Sequence, residues 1–137
     1  MMPFEYNTIV ENRVVRCRLC GTVDLADCLN LLYSLTLERE SFDQFRAVCD
    51  ARGATAALSI DALFSLTSFV RSYKDRFAGI RWATVADTHL EFGVAQSIAL
   101  MLRDLPLEYR AFRTIEEACR WQDLPLAMFD EPADMVV

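Results

Sequence analysis

One histidine, four widely separated glycines and no apolar run of membrane length mark what this chain does without. A membrane span needs ~18 or more consecutive apolar residues, so none is predicted. Gly21, Gly53, Gly79 and Gly93 lie too far apart to form the Gly-rich loop of a phosphate cradle. With His89 as the single histidine and one formal CxxC, Cys17-Arg18-Leu19-Cys20, the second ligand pair of a zinc site is missing. On a strand, residues three apart point to opposite faces, which also argues against a redox pair. Positive charge is short as well. The formal net charge is −6 and the isoelectric point about 4.7, so phosphate backbones and anionic membrane surfaces are poor partners. No nucleophile-elbow signature and no paired-carboxylate arrangement is readable, so the sequence points to no enzyme and to no cofactor.

What is present fits one cytoplasmic domain. A chain of 137 residues can bury roughly 65–70% of its unfolded surface without help from disulfides or metal. The opening Met1-Met2-Pro3-Phe4-Glu5 lacks the basic and apolar regions of a signal peptide. Five cysteines, an odd number irregularly spaced in apolar surroundings, predict buried free thiols. Hydrophobic residues make up 53%, enough for a well-filled core or for a core plus an apolar face toward a partner.

Along the chain, Phe4 to Val10 and Arg13 to Cys20 are β-rich runs separated by Glu11-Asn12, the spacing of a hairpin that Gly21 would end. Thr22 or Asp24 can cap a helix bearing Leu25, Cys28, Leu29, Leu32 and Leu35. Gln44 to Asp50 reads as a third strand broken by Arg52-Gly53. Ser59, with Asp61 in the first turn, can cap a second helix along Ala62, Leu66, Phe69, Val70 and Tyr73. Ile80 to Ala86 is a fourth strand. Thr88-His89-Leu90-Glu91 has capping-box spacing before a helix along Leu90, Val94, Ile98 and Leu105. Gly93 inside that helix costs ~1 kcal/mol relative to Ala, which close packing on a neighbour would offset. Leu107 to Phe112 is a fifth strand, and Thr114-Ile115-Glu116-Glu117 opens the last helix.

The expectation is therefore α/β: a five-stranded mixed sheet covered by about four helices, in the order ββαβαβαβα, right-handed at each crossover. A single domain over residues 4–122 would be followed by a tail at 123–137. That tail carries Pro125, Pro132, four acids and several large apolar residues, so it packs back on the domain, reaches a second subunit, or is a disordered docking motif.

Three segments carry a resemblance: Val48 to Gly53, Ala83 to Asp87 with Phe92 to Ala95, and Tyr109 to Trp121. In element order and in these residues the chain resembles the SpoIIAA-like fold of STAS domains, and more specifically the bacterial STAS/Sec14-type proteins of unknown function. The resemblance covers residues from about 5 to 122 and is specific for fold, not activity. It implies a regulatory or protein-interaction module. In anti-sigma-factor antagonists the turn after the third strand carries an Asp-Ser pair whose serine is phosphorylated. Asp50 matches the aspartate, but Ala51 stands where the hydroxyl belongs, so that switch does not carry over.

Candidate contacts are Asp50, Arg52, Ser59, Asp87 and His89, all near the presumed carboxyl edge of the parallel strands, where α/β sheets bind ligands. Two of them also have a plain structural role: Ser59 as a cap and His89 as decoration of a helix start. The leading expectation is a non-catalytic interaction module, a homodimer or the partner of another protein. The alternative is a small carrier of an apolar ligand, held between the second and third helices by Leu66, Phe69, Leu90 and Val94. The carrier expects a cavity above ~300 Å³. A third reading, an enzyme using Asp50, Arg52, Asp87 and His89, expects a perturbed histidine.

Overall fold

The computed structural model describes residues 4–9, 13–38 and 44–129. Its five strands lie side by side in chain order: β1 (Phe4–Ile9), β2 (Val14–Asp24), β3 (Arg46–Ala57), β4 (Arg81–Val85) and β5 (Glu108–Phe112). β1 runs antiparallel to β2, as the hairpin spacing predicted, and the remaining pairs are parallel. The hairpin turn, Glu11-Asn12, lies outside the described residues. Parallel strands need crossovers, and helices supply them. These are α1 (Leu25–Glu38), α2 (Ile60–Ser72), a one-turn α3 (Lys74–Phe77) and α4 (His89–Leu102), with α5 (Ile115–Gln122) following β5. The expected order holds, with α3 as an added turn.

Each strand presents alternate residues to opposite faces. Val15, Cys17, Ala47, Cys49 and Trp82 face a larger core with Leu31, Leu35, Val70 and Leu102 from α1, α2 and α4. Val14, Val48, Ala83 and Val85 face a smaller core closed by Ile115, Ala118 and Cys119 of α5. β3 and β4 are thus covered on both sides. That is why they read as continuous apolar runs and not as an alternation.

The helix starts were legible. Ser59 Oγ accepts from Ala62 N at 3.1 Å, Thr88 Oγ1 from Glu91 N at 3.2 Å and Thr114 Oγ1 from Glu117 N at 3.2 Å. At α1 the cap is Asp24. It accepts from Asp27 N at 3.0 Å while Asp27 accepts from Asp24 N at 2.9 Å.

Three expectations fail. Gly21 does not end β2, and Arg52-Gly53 does not break β3. The two strands run on together, Cys20 opposite Gly53 through Asp24 opposite Ala57, after a bulge between Arg18 and Cys20. Gly21 takes φ +69° inside the strand, a conformation that suits glycine. Mutual ladder bonds offset the weak β propensity of both stretches. β4 ends at Val85 opposite Asp50, so residues 51–57 of β3 overhang the sheet on that side. The third failure is Gly93, which is exposed. A Cβ there would meet nothing within 4 Å, so close packing does not account for it.

The chain beyond Trp121 continues the second core. Gln122, 1% exposed, ends α5 and donates through Nε2 to Ala47 O at 2.9 Å and Arg81 O at 2.8 Å. Leu124 is buried, Met128 and Phe129 pack against the same cluster, and Arg16 Nη1 donates to Met128 O. Residues 130–137 lie outside the described residues.

Candidate functional site

In a parallel sheet every strand ends, and every following helix begins, at one edge. Here that edge is extended by the β2–β3 overhang. Between the larger core face of the sheet and α1, α2 and α4 lies a partly open cleft of about 150 Å³. Its sheet wall includes Leu19, Cys49, Ala56, Trp82, Thr84 and Tyr109. Its helix wall includes Cys28, Leu31, Leu66, Val94, Ala95 and Ile98. Leu66 and Val94 line it as the sequence predicted, whereas Phe69 packs half-buried against the core and Leu90 is 69% exposed. The volume is half the ~300 Å³ expected of a carrier, which limits any occupant to roughly the size of a benzene ring or a short alkyl chain.

The polar groups of the cleft are few and mostly paired with one another. Trp82 Nε1 donates to Thr84 Oγ1 at 3.1 Å, and Tyr109 is hydrogen-bonded to Thr84. Burial pushes the Tyr109 hydroxyl up, outweighing that bond. Cys17 and Cys49 face one another in register, and this contact together with burial pushes the Cys49 thiol well above its usual range. Cys28 is pushed up to about 11, by burial first and then by the charges of Asp27 and Asp24. All five cysteines are free.

Glu91 is the one formally charged side chain among the lining residues. Capping-box spacing sends it back to its own helix cap, but it crosses instead to β3. There Oε1 accepts from Ala56 N at 2.9 Å. The start of α4 is thereby fastened to the overhang, and a carboxylate is set in an otherwise apolar wall.

The candidate contacts read from the sequence form a different grouping. Asp50 and Arg52 are bound to each other, Nε–Oδ1 and Nη2–Oδ2 both at 2.9 Å, and Arg52 N donates to Asp50 Oδ1 at 3.1 Å. Burial opposes ionisation of Asp50, but the Arg52 hydrogen bonds and charge outweigh it and hold the carboxyl below its usual range. Asp87 and Glu116 add their charges around Arg52. Ser59 serves as the α2 cap. His89 and Asp87 are exposed, and no hydrogen bond among the described residues links either to the Asp50–Arg52 pair. Asp50 borders a second, more polar groove of about 280 Å³ on the opposite face, with Asn7, Arg16, Arg18 and Phe129. Arg16 there is committed to Asn7 Oδ1 at 3.1 Å and to Met128 O.

The described residues contain no group of three or more His, Cys, Asp or Glu placed to hold a metal ion. No helix among them is long and apolar enough to cross a membrane. Trp121 is a packing residue, with the Arg81 guanidinium 4.2 Å from its ring centroid and Phe112 at 5.6 Å.

No family model matches the sequence, and no curated protein matches it. Among solved structures, an uncharacterized protein of the DUF3478 family from Shewanella loihica PV-4, with a SpoIIAA-like fold, is similar to it. The two share a TM-score of 0.57 and 14% identity over 86% of this chain and 90% of that one. At such identity the likeness is one of fold. The sheet order, the helical cover and this likeness together give the chain a SpoIIAA-like fold.

Proposed function

We propose that this protein is a non-catalytic module that binds a small apolar molecule, as a carrier or sensor, in the cleft between the sheet and α1, α2 and α4. The observation that supports it is the cleft itself: about 150 Å³ of space, walled almost wholly by apolar side chains, in a core that could have closed. Close packing is the default of protein interiors, so retained space of this size calls for a use. The candidate residues Asp50, Arg52, Asp87 and His89 lack a shared nucleophile or base geometry, which favours binding over turnover. Native mass spectrometry on gently purified protein tests this reading. An added mass that leaves on denaturation supports it; a bare chain, even after incubation with small apolar probes, sinks it.

A second reading keeps the module as a protein-interaction surface, in the form of a cytoplasmic homodimer or as the partner of another protein. It is favoured by six exposed large residues, Tyr33 and Leu37 on α1, Ile60 and Phe64 on α2, and Leu90 and Leu100 on α4. The same mass spectra test it, because Phe64→Glu then converts a dimer to a monomer; a wild-type monomer with no captured partner counts against it.

A further inference from the structure

Charge in the cleft is one-sided. Glu91 is its single charged lining residue, and no Lys, Arg or His lines it. One carboxylate oxygen of Glu91 is held by Ala56 N at 2.9 Å; the other has no hydrogen-bond donor among the described residues. Neighbouring groups reinforce the sign. Asp24 and Asp27 flank the start of α1, and their charges act on Cys28 in the cleft wall. Arg52, on the overhang, is bound to Asp50, and Arg113 lies over the Phe92 ring at 4.4 Å, outside the lining. His89 and Asp87, at the start of α4, are exposed and also outside it.

The cleft's own weak acids report how it treats an anion. Cys28 and Tyr109 are pushed upward chiefly by burial, and Cys49 by its contact with Cys17 first and by burial second. A carboxylate or phosphate brought in from water would meet the same desolvation and the same repulsion, with no cation to offset them. An ammonium group stopping at Glu91 would meet an oxygen that lacks a donor, while its hydrocarbon entered the apolar space.

We propose that the cleft takes a small apolar amine, its ammonium on Glu91 and its hydrocarbon between the sheet and α1, α2 and α4, and turns away carboxylate-headed chains of the same length. This rests on the reading of the cleft as a ligand site, and it narrows that reading to one ligand chemistry.

The test compares hexylamine, 1-hexanol and hexanoate, three probes of one length and different charge. Each is titrated into the full ¹⁵N-labelled chain at pH 7 and followed by amide shifts at Ala56 and Glu91. The amine binds tightest, the alcohol next and hexanoate weakest, with amine over hexanoate at least about tenfold, or about 1.4 kcal/mol. Glu91→Gln keeps an acceptor for Ala56 N and brings the amine-to-alcohol ratio close to one. If that variant fails to fold, raising salt from ~0.05 to ~0.5 M on the wild-type protein reduces the amine preference and leaves hexanol unchanged. An amine that binds no tighter than hexanol, or hexanoate that binds as tightly as the amine, overturns the charge preference and leaves the cleft as a ligand site. If none of the three binds, the ligand-site reading falls as well.

Discussion

Filling the cleft is the sharpest perturbation available. Ala95, 4% exposed, sits on α4 in the cleft wall, and Ala95→Leu adds three carbons toward the open space without lowering helix propensity much. The cleft is partly open, so the gain is set by the apolar surface the new carbons bury and not by a closed-cavity cost. Three buried carbons at about 0.8 kcal/mol each recover at most ~2.4 kcal/mol. Fixing the leucine rotamer removes ~0.5–1 kcal/mol of that, leaving a gain of ~1–2 kcal/mol. Urea unfolding monitored by circular dichroism should show a higher midpoint at unchanged slope. Binding of any small apolar probe should fall by tenfold or more in the same variant. Stability bought at the expense of binding is the pattern of a site kept open for use. A midpoint that drops by the equivalent of 1 kcal/mol or more would refute the reasoning, because it would mean that leucine is overpacked and the space is not there.

Gly93→Ala should stabilise the protein by ~0.5–1 kcal/mol, since the site is exposed and mid-helix with room for a Cβ; a loss in thermal denaturation would contradict this. Asp50 ionises more readily folded than unfolded. Its contribution is therefore complete above its ordinary value of 3.8 and is lost as pH falls below it. Because Arg52 is 44% exposed, that contribution is at most ~1 kcal/mol, and Arg52→Met should flatten this part of a pH 7 to 3 stability profile. Cys28, with its thiol pushed up to about 11, should alkylate at pH 8 roughly tenfold more slowly than a thiol at the ordinary 9.0, the smaller thiolate fraction being partly offset by greater nucleophilicity; peptide mapping after iodoacetamide pulses that finds equal rates would place it outside the cleft.

Local signals carried the fold a long way. Ser59, Thr88 and Thr114 could be read as caps because a cap bonds within three residues of itself, and the apolar spacing of the α1, α2 and α4 segments is equally local. Gly21 and Arg52-Gly53 were misleading for the opposite reason. Each looks like a break until the partner strand, some thirty residues away, supplies the ladder. Glu91 had the spacing of a capping box, and no local pattern reveals that Ala56 N lies within its reach. Gln122 read as the end of a pattern, although its amide joins the starts of β3 and β4. The cleft was half legible. Leu66 and Val94 follow from helical spacing, whereas Cys49, Trp82 and Tyr109 are three strand residues whose shared face depends on register. Whether such a stripe meets its opposite wall or stops short of it is a matter of volume, on which periodicity is silent.

The Glu91 bond to Ala56 has one more consequence, for association. Past Asp50 the outer side of β3 has no neighbouring strand among the described residues, and a bare strand edge is a template on which other chains can add. A carboxylate from α4 occupies one of its amides and brings charge to that edge. Glu91→Ala would leave that amide open for pairing between molecules, so the variant should show rising light scattering with concentration before it shows any loss of helix or sheet. One side chain thus serves two ends: it lines the space where a ligand would enter and guards the adjoining edge against other copies of the chain.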